Sequence, residues 1–214
     1  MKTNQFGRSM VEMLGVLAII GVLSIGAIAG YSKAMNKYKI NKFTDQLSLI
    51  IATIKTEFSG RVSNSPFTEL EYLKKKAIPD NMRDKDGNFV HFWESGPYSM
   101  SINFAANESP GEWGPAHTTV YDAFHITMSY LPEDVCVAIL TADWGADLVG
   151  IGTQSCGGCP YANFYTNTTA SENYAKTGDK DYPTPFTVER AQKACAPIEG
   201  SSKNNKNVGM LFKF

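Results

Sequence analysis

This chain has no cysteine before Cys136, no proline before Pro66 and no charged side chain from residue 13 to residue 32. Without proline, the N-terminal part is free to form one long helix, because proline inside a helix removes a hydrogen bond and clashes with the preceding turn. The charges of the two signs nearly balance, with a net charge of −1 over 214 residues. That balance gives no electrostatic case for binding nucleic acid. The length and the 43% hydrophobic content fit one globular domain preceded by a helix.

The uncharged stretch from 13 to 32 is long enough, as a helix, to cross the ~30 Å hydrocarbon core of a bilayer. Glu12 stands immediately before it. An unpaired carboxylate at the start of an apolar helix costs free energy in a membrane, so we interpret Glu12 as a functional residue. The alternative is that Glu12 and Arg8 lie together outside the membrane and only mark its boundary.

From Tyr31 onward the pattern becomes amphipathic without a break. Apolar residues then recur at three- and four-residue steps, which is typical of a helix face buried by a domain. These residues are Ile40, Phe43, Leu47, Ile50, Ile51, Ile54 and Phe58. The sequence therefore predicts one helix over 9–58. Its first half is bare apolar surface, and its second half has a stripe that belongs to a core.

The rest of the chain predicts an α+β domain. Alternating patterns indicate strands, and proline, glycine and acidic residues at the ends of apolar runs indicate short helices. Strands are predicted at 89–93, 98–104, 124–130, 148–151 and 208–214. Helices are predicted at 65–76, at 188–195, and from a start at 131–134 through 144. Residues 156–185 are rich in Gly, Asn, Thr, Tyr and Pro, which predicts a long surface loop.

Four cysteines, all after residue 135, indicate two disulfides and an oxidising compartment, although four cysteines allow three pairings. Cys156 and Cys159 have CxxC spacing, which also occurs in redox sites and in half of a zinc site. No helical pattern follows them and no second CxxC exists, so a local disulfide is the preferred interpretation. That bond closes a small loop and leaves Cys136 to pair with Cys195.

No pattern in the sequence predicts an active site, a cofactor or a metal. His91, His117 and His125 share no ligand motif, and no serine lies in a nucleophile elbow. The segment 84–88 predicts a tight turn, because a calcium loop in that register would need ligands where Met82 and Trp93 stand. The aspartates elsewhere have no spacing that requires calcium. They are Asp143, Asp147, Asp179 and Asp181.

The N-terminus resembles that of type IV prepilins and the related pseudopilins. Gly7 matches the glycine before the prepilin peptidase cut, and Glu12 is the fifth residue after it. The residues Ala-Ile-Ile-Gly at 18–21 and Tyr31 also lie in register with that family. The resemblance implies cleavage after Gly7, methylation of the new N-terminus at Arg8, and pairing of Glu12 with the cut amine of a neighbouring subunit.

Two positions depart from the family pattern. Arg8 stands where the family usually has Phe, Met or Leu, and Ala29 and Gly30 stand where many members have a proline that kinks the helix. The chain nevertheless keeps the offset between glycine, glutamate and apolar run that characterises the family.

The order of elements in the second half is similar to that of the type IVb pilins. There a disulfide ties the C-terminal region to the helix before it, which implies the pairing of Cys136 with Cys195. The resemblance implies a long helical spine packed on an antiparallel sheet. It divides the chain into a leader at 1–7, a membrane or filament-core half-helix at 8–30, an amphipathic half at 31–60, and a globular head at 61–214.

The function implied by this resemblance is that of a structural pilus subunit without enzymatic activity. The subunit would enter the inner membrane, with the prepilin peptidase and the pilus assembly machinery as partners, and then join copies of itself in a surface filament. Lys2 and Arg8 precede the apolar run, and by the positive-inside rule we expect Met1 in the cytoplasm and the head in the periplasm. No nucleic acid partner is expected.

Three alternatives remain open on the sequence. The first is a minor pilin or a pseudopilin of a type II secretion-like system, although the size of the chain and its loop rich in Tyr, Thr and Asn favour a surface pilin. Residues 27–29 satisfy the A-x-A rule of secretory signals. Cleavage after Ala29 would release a soluble domain in which the CxxC is a candidate redox site. An uncleaved membrane-anchored binding protein is the third possibility.

Overall fold

The computed structural model describes residues 10–60, 76–93, 99–105, 123–155, 170–197 and 206–214. Its first element is the helix α1 (Met10–Phe58), and the expected helix is thus confirmed. The chain divides between Lys42 and Phe43 into two compact units. The first unit contains the apolar part of α1, and the second contains the C-terminal part of α1 and the head.

The head contains a five-stranded antiparallel sheet. The strands are β1 (Met100–Ala105), β2 (Ala123–Met128), β3 (Leu148–Ser155), β4 (Tyr174–Lys176) and β5 (Lys206–Lys213). Their order across the sheet is β1-β2-β5-β3-β4, so the last strand of the chain lies at the centre. All four neighbouring pairs are antiparallel. The C-terminal strand therefore completes the sheet, because it joins β2 to β3.

The end of α1 packs on one face of this sheet. Six of the seven stripe residues are at most 7% exposed, from Phe43 to Phe58, and Ile40 is half-buried. The Phe58 ring lies 5.6 Å from that of Phe214, and Phe124 stacks on Phe212 at 5.4 Å. The prediction that the stripe belongs to a core is confirmed. Lys55 of α1 also forms an ion pair with Asp147, the residue immediately before β3.

Two short α-helices and one 3₁₀ turn (Asp80–Met82) complete the described head. The α-helices are α2 (Glu133–Thr141) and α3 (Val188–Cys195), and the second has the bounds that the sequence predicts. The Thr187 hydroxyl caps α3 by accepting from the Arg190 amide. Arg190 then reaches back to the turn before β4, donating to the carbonyl oxygens of Glu172 (3.1 Å) and Ser171 (2.7 Å).

Several sequence predictions differ from the structure. Residues 89–93 form no strand. Phe89 makes an isolated bridge with Arg83 across a tight turn, in which the Asp84 side chain accepts hydrogen bonds from the amides of Asp86 and Asn88. The helix α2 ends at Thr141, three residues earlier than the sequence predicts, and the chain is extended at Ala142. The predicted loop at 156–185 contains β4, and β3 continues to Ser155. The helix predicted at 65–76 lies outside the described residues, apart from Lys76.

Candidate functional site

The apolar part of α1 exposes large hydrophobic side chains around its whole circumference. Between Met10 and Tyr31 their exposed fractions run from 53% to 84%. In the described part of the second unit, by contrast, only Leu49 and Val188 are large hydrophobics with comparable exposure, at 57% and 58%, and Phe92 is 37% exposed. Monomeric soluble proteins seldom expose a contiguous apolar surface of this extent, so it requires lipid or another protein as its environment.

This helix also satisfies the length and composition of a membrane span. Its most apolar stretch is long enough to cross a bilayer, and no residue of that stretch is buried. A secretory signal and the core helix of a soluble protein meet the same criteria of length and hydropathy. The complete exposure argues against a core helix within this chain.

Glu12 is the one acidic residue of this surface. It lies in the first turn of α1, exposed, between Met10 and Met13. The positive end of the helix dipole favours a carboxylate at that position. Gly7 and Arg8, the predicted cleavage site, lie outside the described residues, as does any pairing of Arg8 with Glu12.

Four glycines of α1 have no structural role within the described part of the chain. A Cβ atom added at Gly15, Gly21, Gly26 or Gly30 would meet no atom within 4 Å. Glycine in a helix interior costs about 1 kcal/mol relative to alanine in water. Nothing within the described residues offsets that cost, whereas close approach of another helix would use the missing side chains.

The disulfide between Cys136 and Cys195 joins α2 to α3, as the sequence argument and the resemblance both predict. Both residues are fully buried, and the bond spans 59 residues of sequence. A loop of that length restricts the unfolded chain enough to stabilise the head by about 4 kcal/mol. Cys156 and Cys159 lie outside the described residues, so their pairing stays a prediction.

The two described histidines are buried and make hydrogen-bond contacts within the head. His91 is buried, donates through Nε2 to the Ser129 carbonyl (2.8 Å) and accepts through Nδ1 from the Trp93 amide (3.3 Å). His125 is buried beside Asn103 (3.1 Å), and burial lowers the pKa of His125 to about 3, so it is neutral near pH 7. His117 lies outside the described residues.

Three of the four aspartates considered for calcium are engaged in turns or an ion pair, and the fourth, Asp181, is exposed. Asp179 accepts from two backbone amides, Asp143 accepts from the Gly145 amide, and Asp147 pairs with Lys55. Within the described ranges, no three His, Cys, Asp or Glu side chains group as metal ligands would.

A shallow cavity of about 310 Å³ lies between α3 and the turn before β4. The Arg190 guanidinium borders it, stacked 3.9 Å from the centre of the Phe186 ring, and burial lowers the pKa of Arg190. Because its Nε and Nη2 donate to the carbonyl oxygens of Glu172 and Ser171, Arg190 joins α3 to the turn before β4.

A comparison with protein-family models finds no match to this sequence, and a comparison with curated proteins finds none either.

Proposed function

We propose that this protein is a structural subunit of a type IV pilus or a related filament, held in a membrane by the first half of α1 before it assembles. The observation that carries the proposal is the division of one continuous helix. Its first part exposes apolar side chains on every side, and its last part is buried against the sheet of the head. Such a bare half-helix is stable in lipid or among its own copies, so the subunit can pass from one to the other.

Glu12 and the glycines favour a filament over a simple anchor. A membrane anchor needs neither a carboxylate beside its apolar run nor four glycines with open space around them. In a filament, Glu12 would lie among the helices of other subunits, where an unpaired carboxylate is costly. The cut N-terminal amine of a neighbour is the proposed partner. Pairing would then occur at one axial step only and would set the register of assembly.

The disulfide determines the orientation that we propose. Lys2 and Arg8 precede the apolar run, but four lysines follow it between residues 33 and 42. The count of positive residues therefore does not by itself place the N-terminus in the cytoplasm, contrary to the sequence argument. Structural disulfides form in oxidising compartments, and long domains are translocated largely regardless of their charge. We therefore assign the head to the periplasm and the cell surface.

Head-to-tail contacts between identical subunits produce an open filament when the rotation does not close. In that arrangement the apolar half-helices form the core and the heads form the outer surface. The proposed partners are further copies of the chain, the prepilin peptidase that cuts after Gly7, and the inner-membrane assembly machinery. The same properties suit a major pilin, a minor pilin or a pseudopilin.

The test of this proposal is Glu12→Ala in the full-length chain, expressed with its assembly system. We expect membrane insertion, cleavage after Gly7 and head folding to be unchanged, while electron microscopy shows filaments abolished or sharply reduced. Asp45→Ala is the matched control, since Asp45 is an exposed acid of the same helix outside the apolar part. It should assemble normally. Normal filaments from Glu12→Ala at wild-type protein levels would remove Glu12 from the mechanism.

A soluble secreted domain is the second candidate, favoured by the Ala-Ile-Ala sequence at 27–29. Cleavage there would divide α1, which continues as helix through Gly30 to Phe58. The product would keep the whole buried stripe and lose only exposed apolar residues. The mature N-terminus therefore distinguishes the two candidates directly.

A further inference from the structure

The first residues of α1 after the apolar run form a ring of exposed positive and aromatic side chains. We call Tyr31, Lys33, Lys37, Tyr38 and Lys39 the lysine collar. All five are exposed, and Tyr31 and Tyr38 are 66% and 61% accessible. No acidic residue occurs between Glu12 and Asp45, so the collar has an unopposed positive charge along the chain.

The lysines of the collar have no ionic partner within the described part of the chain. The ion pairs between described residues involve Lys55, Lys76, Arg83 and Lys193, and none involves Lys33, Lys37 or Lys39. At about 100° per residue, Lys33 and Lys37 share one face of the helix and Lys39 lies on nearly the opposite face. The charge therefore surrounds the helix, unlike an amphipathic stripe that would pack on a single flat partner.

The height of the collar fits the headgroup layer of a bilayer. Lys33 to Lys39 covers about 9 Å at 1.5 Å per residue, and the polar layer on each side of the hydrocarbon core is roughly 5–8 Å thick. Long lysine stems lie along apolar surface and place their ammonium groups at the interface. Tyrosine is enriched at that same depth.

The position of these charges favours a partner of opposite sign. In the proposed orientation, the collar lies on the periplasmic side, where the positive-inside rule disfavours lysines close to a span. Lysines at the end of a membrane helix bind anionic headgroups, and each contributes a factor of about five to the affinity. A negatively charged lipid surface is therefore the partner that both the charge and the location fit.

We propose that the lysine collar binds anionic phospholipid headgroups of the outer leaflet and holds the unassembled subunit at a fixed depth. This inference rests on the proposed function, because it requires α1 to lie in a membrane. It also adds a regulatory property to that function: extraction of a subunit into the filament must break these contacts. Membranes richer in anionic lipid should retain the unassembled subunit more strongly.

The experiment uses the full-length chain, delipidated in a zwitterionic detergent and titrated with phosphatidylglycerol and, separately, with phosphatidylcholine. Native mass spectrometry gives the ratio of the two dissociation constants. The wild type should prefer phosphatidylglycerol by at least about fivefold, the contribution of one lysine. The triple variant Lys33→Gln/Lys37→Gln/Lys39→Gln should bind both lipids within about twofold of each other, as should the wild type in 1 M salt.

The matched control removes three exposed lysines from the head: Lys85→Gln/Lys176→Gln/Lys180→Gln. It has the same net charge as the collar variant and should keep the wild-type preference. An equal loss in both variants, or no preference in the wild type, would overturn the collar proposal.

Two further outcomes separate this inference from the proposed function. A wild-type chain that remains soluble on cell fractionation would overturn both. A collar variant that keeps its lipid preference but no longer forms filaments would show that the lysines bind a second copy of the chain instead, and would overturn the lipid assignment alone.

Discussion

Leu17 and Leu47 are the same side chain in the same helix, yet Leu17 is 62% exposed and Leu47 is fully buried. Around Leu17 every neighbour is apolar, and no face of the helix is distinguished from another. Around Leu47 the apolar residues of the stripe recur at three- and four-residue steps, and the positions between them are mostly polar, with Leu49 and Ala52 as exceptions. The comparison shows that hydrophobic content does not place a residue in a core. Periodicity does, because a domain covers one face of a helix and lipid or a ring of helices surrounds all of it.

Shortening one leucine in each half of α1 tests this comparison with the largest expected effect. Leu47→Ala should destabilise the head by about 2–5 kcal/mol, since it opens a cavity in a packed core. Leu17→Ala should leave head stability unchanged. Thermal unfolding of the full-length chain in detergent, followed by near-ultraviolet circular dichroism, measures both.

Leu49→Ala is the control for helix propensity and side-chain loss, because Leu49 lies two residues from Leu47 and is 57% exposed. Its effect should be within about 0.5 kcal/mol of zero. A loss from Leu17→Ala as large as that from Leu47→Ala would mean that the apolar half contributes to the fold of the head.

Glycines allow the same comparison with a smaller expected effect. A Cβ atom at Gly152 would lie 2.3 Å from the backbone oxygen of Asn173, whereas one at Gly21 would meet nothing within 4 Å. Gly152→Ala should therefore force β4 away from β3 and cost about 1–3 kcal/mol. Gly21→Ala should not change the unfolding of the head. Equal melting temperatures for the two variants would contradict the packing of β4 on β3.

The smallest expected effect concerns the ion pair that joins α1 to the sheet. The hydrogen bond from Lys55, with the nearby charge of Lys213, lowers the pKa of Asp147. A lowered folded-state pKa stabilises the head above the unfolded value near 4, and this contribution is lost as the pH falls through the folded-state pKa. Both side chains are about one-third exposed, at 33% and 38%, so solvent screens the pair.

Asp147→Asn should accordingly cost less than about 1 kcal/mol at pH 7. The difference from the wild type should shrink as the pH is lowered toward 3. Asp181→Asn, at an exposed carboxylate outside this pair, is the control. A difference between wild type and Asp147→Asn that grows on acidification would reverse the sign assigned here.

The elements that the sequence predicts best are those whose signals are local. The helix α1 has a long periodic pattern without proline, and α3 follows Thr187, which caps it. The pairing of Cys136 with Cys195 followed from the short CxxC spacing, which left the distant pair, and from the resemblance. In each case the residues that determine the structure are close in sequence or few enough to enumerate.

The elements that the sequence missed depend on contacts between distant segments. The strand β4 exists because Gly150 and Gly152 of β3 leave room for Tyr174, 22 or more residues later, and its own three residues carry no strand pattern. Phe89 to Trp93 alternates like a strand, but His91 and Trp93 pack edge-on against Phe43 of α1 instead. The lysine collar has no motif; only its exposure immediately beyond the apolar run distinguishes it.

The mature N-terminus tests the central claim most directly, because each account of the apolar half-helix predicts a different first residue. Mass spectrometry of the protein purified from membranes or filaments should find Arg8, methylated, as the first residue. Gly30 as the first residue would show that the apolar half-helix is a discarded secretory signal. Met1 as the first residue would show an uncleaved anchor, and either result would contradict a processed filament subunit.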